Sequence, residues 1–212
     1  MKKKVIALCL VVALLAVSVI GGTLAYFTDT DDVQNTFAAG KVKLTLDEAE
    51  TDLYGVVDGN ARVDANRYIV IPGHEYFKDP TVHIEDGSVA CYVIAVIDNQ
   101  LGVAANDEQV ILVDDEQLIA QAVANDWIKL DIVDQSGKAL LAFYQVVPAD
   151  KADAAVSLKP VFETVTVNKL ATNEDVAAFD GKNINVTAYG IQQDGFDTAA
   201  DAWYATFGAK HA

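Results

Sequence analysis

His74-Glu75 is the pair with the most chemical promise, because zinc peptidases carry His-Glu-x-x-His on a helix, where both histidines face one metal and the glutamate activates water. The fifth position here is Lys78. Pro72-Gly73 precedes the pair and Asp79-Pro80 follows it, turn chemistry that opposes such a helix. Only His83 and His211 remain as further imidazoles. The expectation is a polar loop between two strands, with no catalytic residue and no metal ligand assigned.

Carboxylates cluster twice, at Asp29, Asp31 and Asp32 and again at Asp58-Gly59-Asn60 with Asp64. Neither stretch has the spacing of an EF-hand loop. Both allow weak calcium affinity, against the more ordinary reading of a solvated acidic surface, and no cofactor is assigned. Cys91 stands in the apolar run Ala90–Ile97, the setting of a buried inert thiol rather than a nucleophile. Asn185-Val186-Thr187 has the pattern of a glycosylation acceptor but falls within a strand. No Gly-rich phosphate loop, serine nucleophile elbow or paired carboxylate stands out by spacing.

The elements that would position these residues are mostly strands. Val42, Leu44 and Leu46 alternate with Lys41, Lys43, Thr45 and Asp47, a period of two that marks one buried face. Tyr68–Ile71 and Thr81–Ile84 read as short strands bounded by turn residues. Residues 90–97 are apolar on both faces, so the face turned away from an opposing sheet needs further cover. Two predicted helices offer it. One opens at Asp114, with Gln117 at capping-box spacing and Leu118, Ile119, Ala122 and Val123 on one face; the other begins at Asp197, with Ala200, Trp203, Tyr204 and Phe207 at helical spacing. Residues 127–133 and 139–147 predict a hairpin, and 155–158, 161–167 and 184–191 three more strands, with Pro148 and Pro160 at strand ends or edges. Eight or nine short strands with one or two helices specify an all-β antiparallel sandwich.

The first residues are of another kind. Lys2–Lys4 followed by the apolar run Val5–Ile20 have the layout of a signal peptide, and Thr23 and Ala25 place small side chains for cleavage between Ala25 and Tyr26. The alternative is an uncleaved anchor. Leu8 before Cys9 argues against lipidation, and loss of the leader leaves Cys91 as the lone cysteine, so no intrachain disulfide is expected. The domain reading is a leader at 1–25, an acidic segment at 26–40 and a sandwich domain at 41–212. The whole chain has 15 basic and 31 acidic side chains, a net charge of −16. Without residues 1–25 it would carry 12 basic and 31 acidic ones, a net of −19. That balance excludes a nucleic-acid partner, which needs clustered Lys and Arg, and leaves the membrane to the uncleaved leader alone.

Three stretches together carry a family resemblance. Ile20-Gly21-Gly22-Thr23-Leu24-Ala25-Tyr26-Phe27-Thr28-Asp29, with Asn35-Thr36-Phe37 and Gly40, resembles the leader and mature start of the TasA/camelysin family, whose signal peptides are cut by the dedicated type I signal peptidase SipW. Ile71-Pro72-Gly73 and Lys78-Asp79-Pro80-Thr81-Val82 are similar to that family's Pro-Gly turn and Lys-Asp-Pro approach to a strand. Ile184–Phe196 with Ala202-Trp203 is similar to its last strand and helix. The resemblance implies a jelly-roll-like sandwich, secreted by a Gram-positive bacterium to its extracellular matrix or cell surface. There it would join copies of itself into biofilm fibres by addition of the freed amino-terminal strand to the next subunit. Tyr26, Phe27, Val33 and Phe37 would be the anchors of that strand. The other branch of the family implies a casein-cleaving metalloprotease, and a monomeric surface-binding module is the third reading. Residues 208–212 show no sorting motif or apolar tail, so covalent wall attachment is not expected. Mutual repulsion at −19 implies that assembly strengthens with salt, acid or divalent cations.

Overall fold

The computed structural model describes residues 41–102, 110–152 and 154–208. The leader, the cleavage position Ala25/Tyr26, the proposed anchors Tyr26, Phe27, Val33 and Phe37, the cluster Asp29, Asp31 and Asp32, Cys9 and His211 lie outside these residues.

Ten strands are described: β1 (Leu44–Thr51), β2 (Val57–Val63), β3 (Glu75–Phe77), β4 (Thr81–Ile84), β5 (Cys91–Asn99), β6 (Ile128–Leu130), β7 (Leu141–Val147), β8 (Val156–Ser157), β9 (Thr164–Thr166) and β10 (Ile184–Gln192). All pair antiparallel. One sheet has the order β2-β1-β4-β8 and a second β10-β5-β7-β6, while β3 and β9 form a two-stranded ladder. Four helices accompany them where one or two were expected: α1 (Asp115–Ala124), α2 (Ala149–Ala152), α3 (Asn173–Ala178) and α4 (Ala199–Phe207). Among the described residues no helix is long and apolar enough to cross a membrane.

The doubly apolar strand explains the layering. In β5, Cys91, Val93, Ala95 and Ile97 face the main core, where they meet Val82 and Ile84 of β4, Phe143 and Val147 of β7, and Leu118 and Ala122 of α1. Tyr92 and Ile94 face the other way and meet Ala199, Ala202 and Trp203 of α4. Of the two helices predicted as cover, α4 therefore shields the outer face, whereas α1 completes the main core. Each is capped as its sequence directs: the Asp114 carboxylate accepts from the Glu116 N–H, and the Thr198 hydroxyl oxygen accepts from the Asp201 N–H. Gln117 does not close the expected capping box. Its side-chain amide exchanges two hydrogen bonds with the Thr166 backbone, fastening α1 to β9.

Gly190 brings the two large sheets together. A Cβ there would lie 2.9 Å from Leu44 Cδ2 and closer still to Val42 Cγ1, so any larger residue would have to displace these two side chains at the start of β1.

Two expectations need correction, and one strand was not anticipated. Residues 68–71 form no ladder among the described residues, because the chain there runs beside the 53–55 turn through one backbone bond, Ile69 N–H to Leu53 O. The stretch holding Asp58, Asn60 and Arg62 is strand β2, an element that the sequence reading does not contain. It was missed because it is exposed almost throughout and has no apolar face to give period two; side-chain bonds from Arg62 hold it instead. Glu75 lies within β3, so only His74 of the His-Glu pair is in a connection.

Candidate functional site

The Lys-Asp-Pro motif builds the most buried polar cluster. Glu48 on β1 is 3% exposed, and its carboxylate accepts from Lys78 Nζ at 2.5 Å and from the backbone and side-chain N–H of Asn66 at 2.8 and 3.0 Å. Asp79 accepts from the Ala49 N–H at 2.7 Å and from Arg62 Nη1 at 2.9 Å. Lys78 and Asp79 thus tie the approach to β4 onto β1 and β2. Neighbouring Tyr68 donates its hydroxyl to Phe77 O, and burial together with the Glu48 charge pushes its pKa up to about 12.

A second polar chain crosses the first sheet in strand order. Ser157 Oγ on β8 is 2.7 Å from His83 Nδ1 on β4, His83 Nε2 is 2.9 Å from Asp47 Oδ1 on β1, and the same oxygen accepts from Arg62 Nε on β2 at 2.5 Å. Serine, histidine and aspartate in a line suggest a nucleophile relay. Two observations favour a cross-strand strut instead: Asp47 is shared with a guanidinium, and Ser157 is exposed on a two-residue strand, opposite His83 in the ladder register. Desolvation pulls the Asp47 pKa upward, but hydrogen bonds and charge from Arg62 and His83 outweigh it and hold it below the ordinary carboxylate value. A depressed folded pKa adds stability above the unfolded value of about 4 and loses it as pH falls through the lower folded value. The gap in unfolding free energy between the native chain and Asp47→Asn should therefore be largest near neutral pH and close below about pH 4. Denaturant titration across pH measures it, and a gap constant with pH would contradict the assignment.

The remaining candidates separate. His74 Nε2 sits 2.9 Å from Tyr54 O and its ring packs edge-on to Tyr76 at 4.5 Å, so His74 and His83 serve different clusters. Cys91 is fully buried, and desolvation pushes its thiol up to about 11, the state of an inert side chain. Asp58 and Asn60 are exposed on β2. Among the described residues no three His, Cys, Asp or Glu side chains converge as a metal site would require. Neither polar cluster was visible in the sequence, since cross-strand partners carry no fixed spacing. The one local signal was the Lys78-Asp79 pair beside Pro80.

What is left open is backbone. Within the two large sheets, β2 and β8 bound one and β10 and β6 the other. β10 pairs with β5 over its full length on one side only, among the described residues.

The family model for camelysin metallo-endopeptidase matches residues 1–58, a stretch that spans the expected leader, the expected acidic segment and all of β1. Neither a curated protein nor a solved structure matches the chain.

Proposed function

From the match of its first 58 residues to the family model for camelysin metallo-endopeptidase, we propose that the chain is a member of the TasA/camelysin family and a secreted structural subunit that forms extracellular fibres. A dedicated type I signal peptidase cuts after Ala25, and the freed segment from Tyr26 to about Gly40 adds as a strand to a second copy. The fold takes a jelly-roll-like course, and the protein resides in the matrix or at the surface of a Gram-positive cell. The observation that carries this reading is the family match over the leader and the segment behind it. The open sheet edges supply what strand addition requires, exposed backbone donors and acceptors beside alternating side chains. Removing the leader acts as the switch, because it frees the segment from its membrane tether.

Electron microscopy of the chain beginning at Tyr26, beside the uncut chain and a chain beginning at Lys41, tests the reading. Filaments are expected from the first alone. Filaments from the Lys41 chain would overturn the donor assignment.

The family's description as a metallo-endopeptidase supports an enzymatic second reading. Stoichiometric zinc with chelator-sensitive casein cleavage by the purified Tyr26 chain would favour it over the structural one. A chain that stays monomeric at high concentration would favour a surface-binding module.

A further inference from the structure

Segment 65–71 has the side-chain pattern of a strand without its ladder. Arg67, Ile69 and Ile71 are exposed while Asn66, Tyr68 and Val70 are partly buried, with Tyr68 and Val70 packed on the main core. Part of its backbone is engaged: Ile69 N–H donates to Leu53 O at 2.9 Å, Ile69 O accepts from the Tyr76 hydroxyl at 2.6 Å, and the Tyr76 oxygen accepts from Ile71 N–H at 2.8 Å. The N–H groups of Arg67, Tyr68 and Val70 and the carbonyls of Tyr68 and Val70 have no backbone partner among the described residues. Six of the eleven exposed large apolar side chains among the described residues, Leu53, Tyr54, Val56, Val57, Ile69 and Ile71, belong to this segment and to the turn and start of β2 beside it. Such concentration marks a contact surface. Arg67 and Lys169, the latter packed against Gly73, form no ion pair among the described residues.

We propose that this face, the open backbone of 65–71 with its exposed apolar side chains and the cations Arg67 and Lys169, receives the amino-terminal segment of a second copy of this chain. The inference rests on the fibre reading and names its receiving surface. Three observations select that occupant. Of the four proposed anchors, Phe27, Val33 and Phe37 share one parity and would lie on one face of an extended strand, with Tyr26 on the other. Asp29, Asp31 and Asp32 complement the two cations, and the segment contains no Lys or Arg of its own. The donated segment joins the described residues at Lys41, three residues before β1, whereas Ile69 at the centre of the face bonds Leu53, just past the last residue of β1 and roughly 25 Å away along a strand of eight residues. A donor at one end and a receiver at the other make a heterologous contact, which repeats without closing and yields a filament.

Variants of the chain beginning at Tyr26 that each gain one exposed cysteine test this, since the native Cys91 is buried. Val33→Cys mixed with Ile71→Cys under mild oxidation is expected to move most of the protein to a two-chain disulfide species that neither variant forms alone. Val33→Cys mixed with Thr187→Cys, on the open edge of β10, is expected to give none. Cross-linking to Thr187→Cys instead would overturn this surface while leaving fibre assembly intact. A Val33→Cys/Ile71→Cys double variant that closes its disulfide within one chain, with no mixed product, would overturn the second copy as occupant. Absence of filaments from the unsubstituted Tyr26 chain would overturn the fibre reading along with this one.

Discussion

Replacing Lys78 with methionine is expected to cost about 3–5 kcal/mol of folding free energy, the range seen when one partner of a buried ion pair is removed. Glu48 has a side-chain exposure of 4% and Lys78 of 15%, so the stranded carboxylate can neither reach water nor find another cation. Asn66 alone would then face it. Because Glu48 fixes Asn66, the same substitution should loosen the segment that begins there, and with it the proposed receiving face. The melting temperature should drop by roughly 10 °C for a domain of this size. Replacing Glu48 with glutamine in the same chain should recover much of the loss, since the double variant buries no charge. A Lys78→Met chain within about 1 kcal/mol of the native one would show that the pair is not the closed unit described above.

Trp127→Ala should cost a similar amount, about 3–5 kcal/mol. The indole is 1% exposed, just beyond α1, and its Nε1–H donates to Lys159 O at 3.1 Å. Next to it, Asn125 Nδ2 donates to Pro160 O. The side chain therefore fills the core and closes the polar seam between the end of α1 and the β8–β9 connection. Trp127→Phe separates the two contributions: it keeps most of the volume and leaves the Lys159 carbonyl without a donor, so a loss near 1–2 kcal/mol is expected. Calorimetry or denaturant melts decide. A loss below about 1 kcal/mol for Trp127→Ala would mean that the site collapses without penalty.

What the sequence revealed and what it hid divide along a physical line. β1, β5 and β10 were readable because one or both faces are buried and the side-chain period follows, and α4 because Ala200, Trp203, Tyr204 and Phe207 recur at helical spacing. β2 was hidden because Arg62 holds it, and ion pairs leave no period. The helix α3 had a readable sign in Thr172-x-x-Asp175, whose capping box forms. Segment 65–71 is the instructive mismatch. Its residues alternate as a strand's do, yet its backbone finds no ladder among the described residues, because alternation reports one buried face and says nothing of who pairs at the edge. The polar clusters were beyond reach for the same reason: Ser157, His83, Asp47 and Arg62 meet only when β8, β4, β1 and β2 take their order.

The place of β1 has a mechanical consequence. It lies inside its sheet, between β2 and β4; in the proposed fibre the donated segment leads into its first residue, and the turn beside the proposed receiving face follows its last. Tension passed along a chain of such subunits would pull on β1 lengthwise. Antiparallel ladder bonds stand perpendicular to the strand, so the bonds to both neighbours would carry that load together, in shear, instead of opening one after another. The side-chain strut from Ser157 to Arg62 braces the same strands crosswise. A filament built this way would transmit pull through the part of each subunit best arranged to resist it.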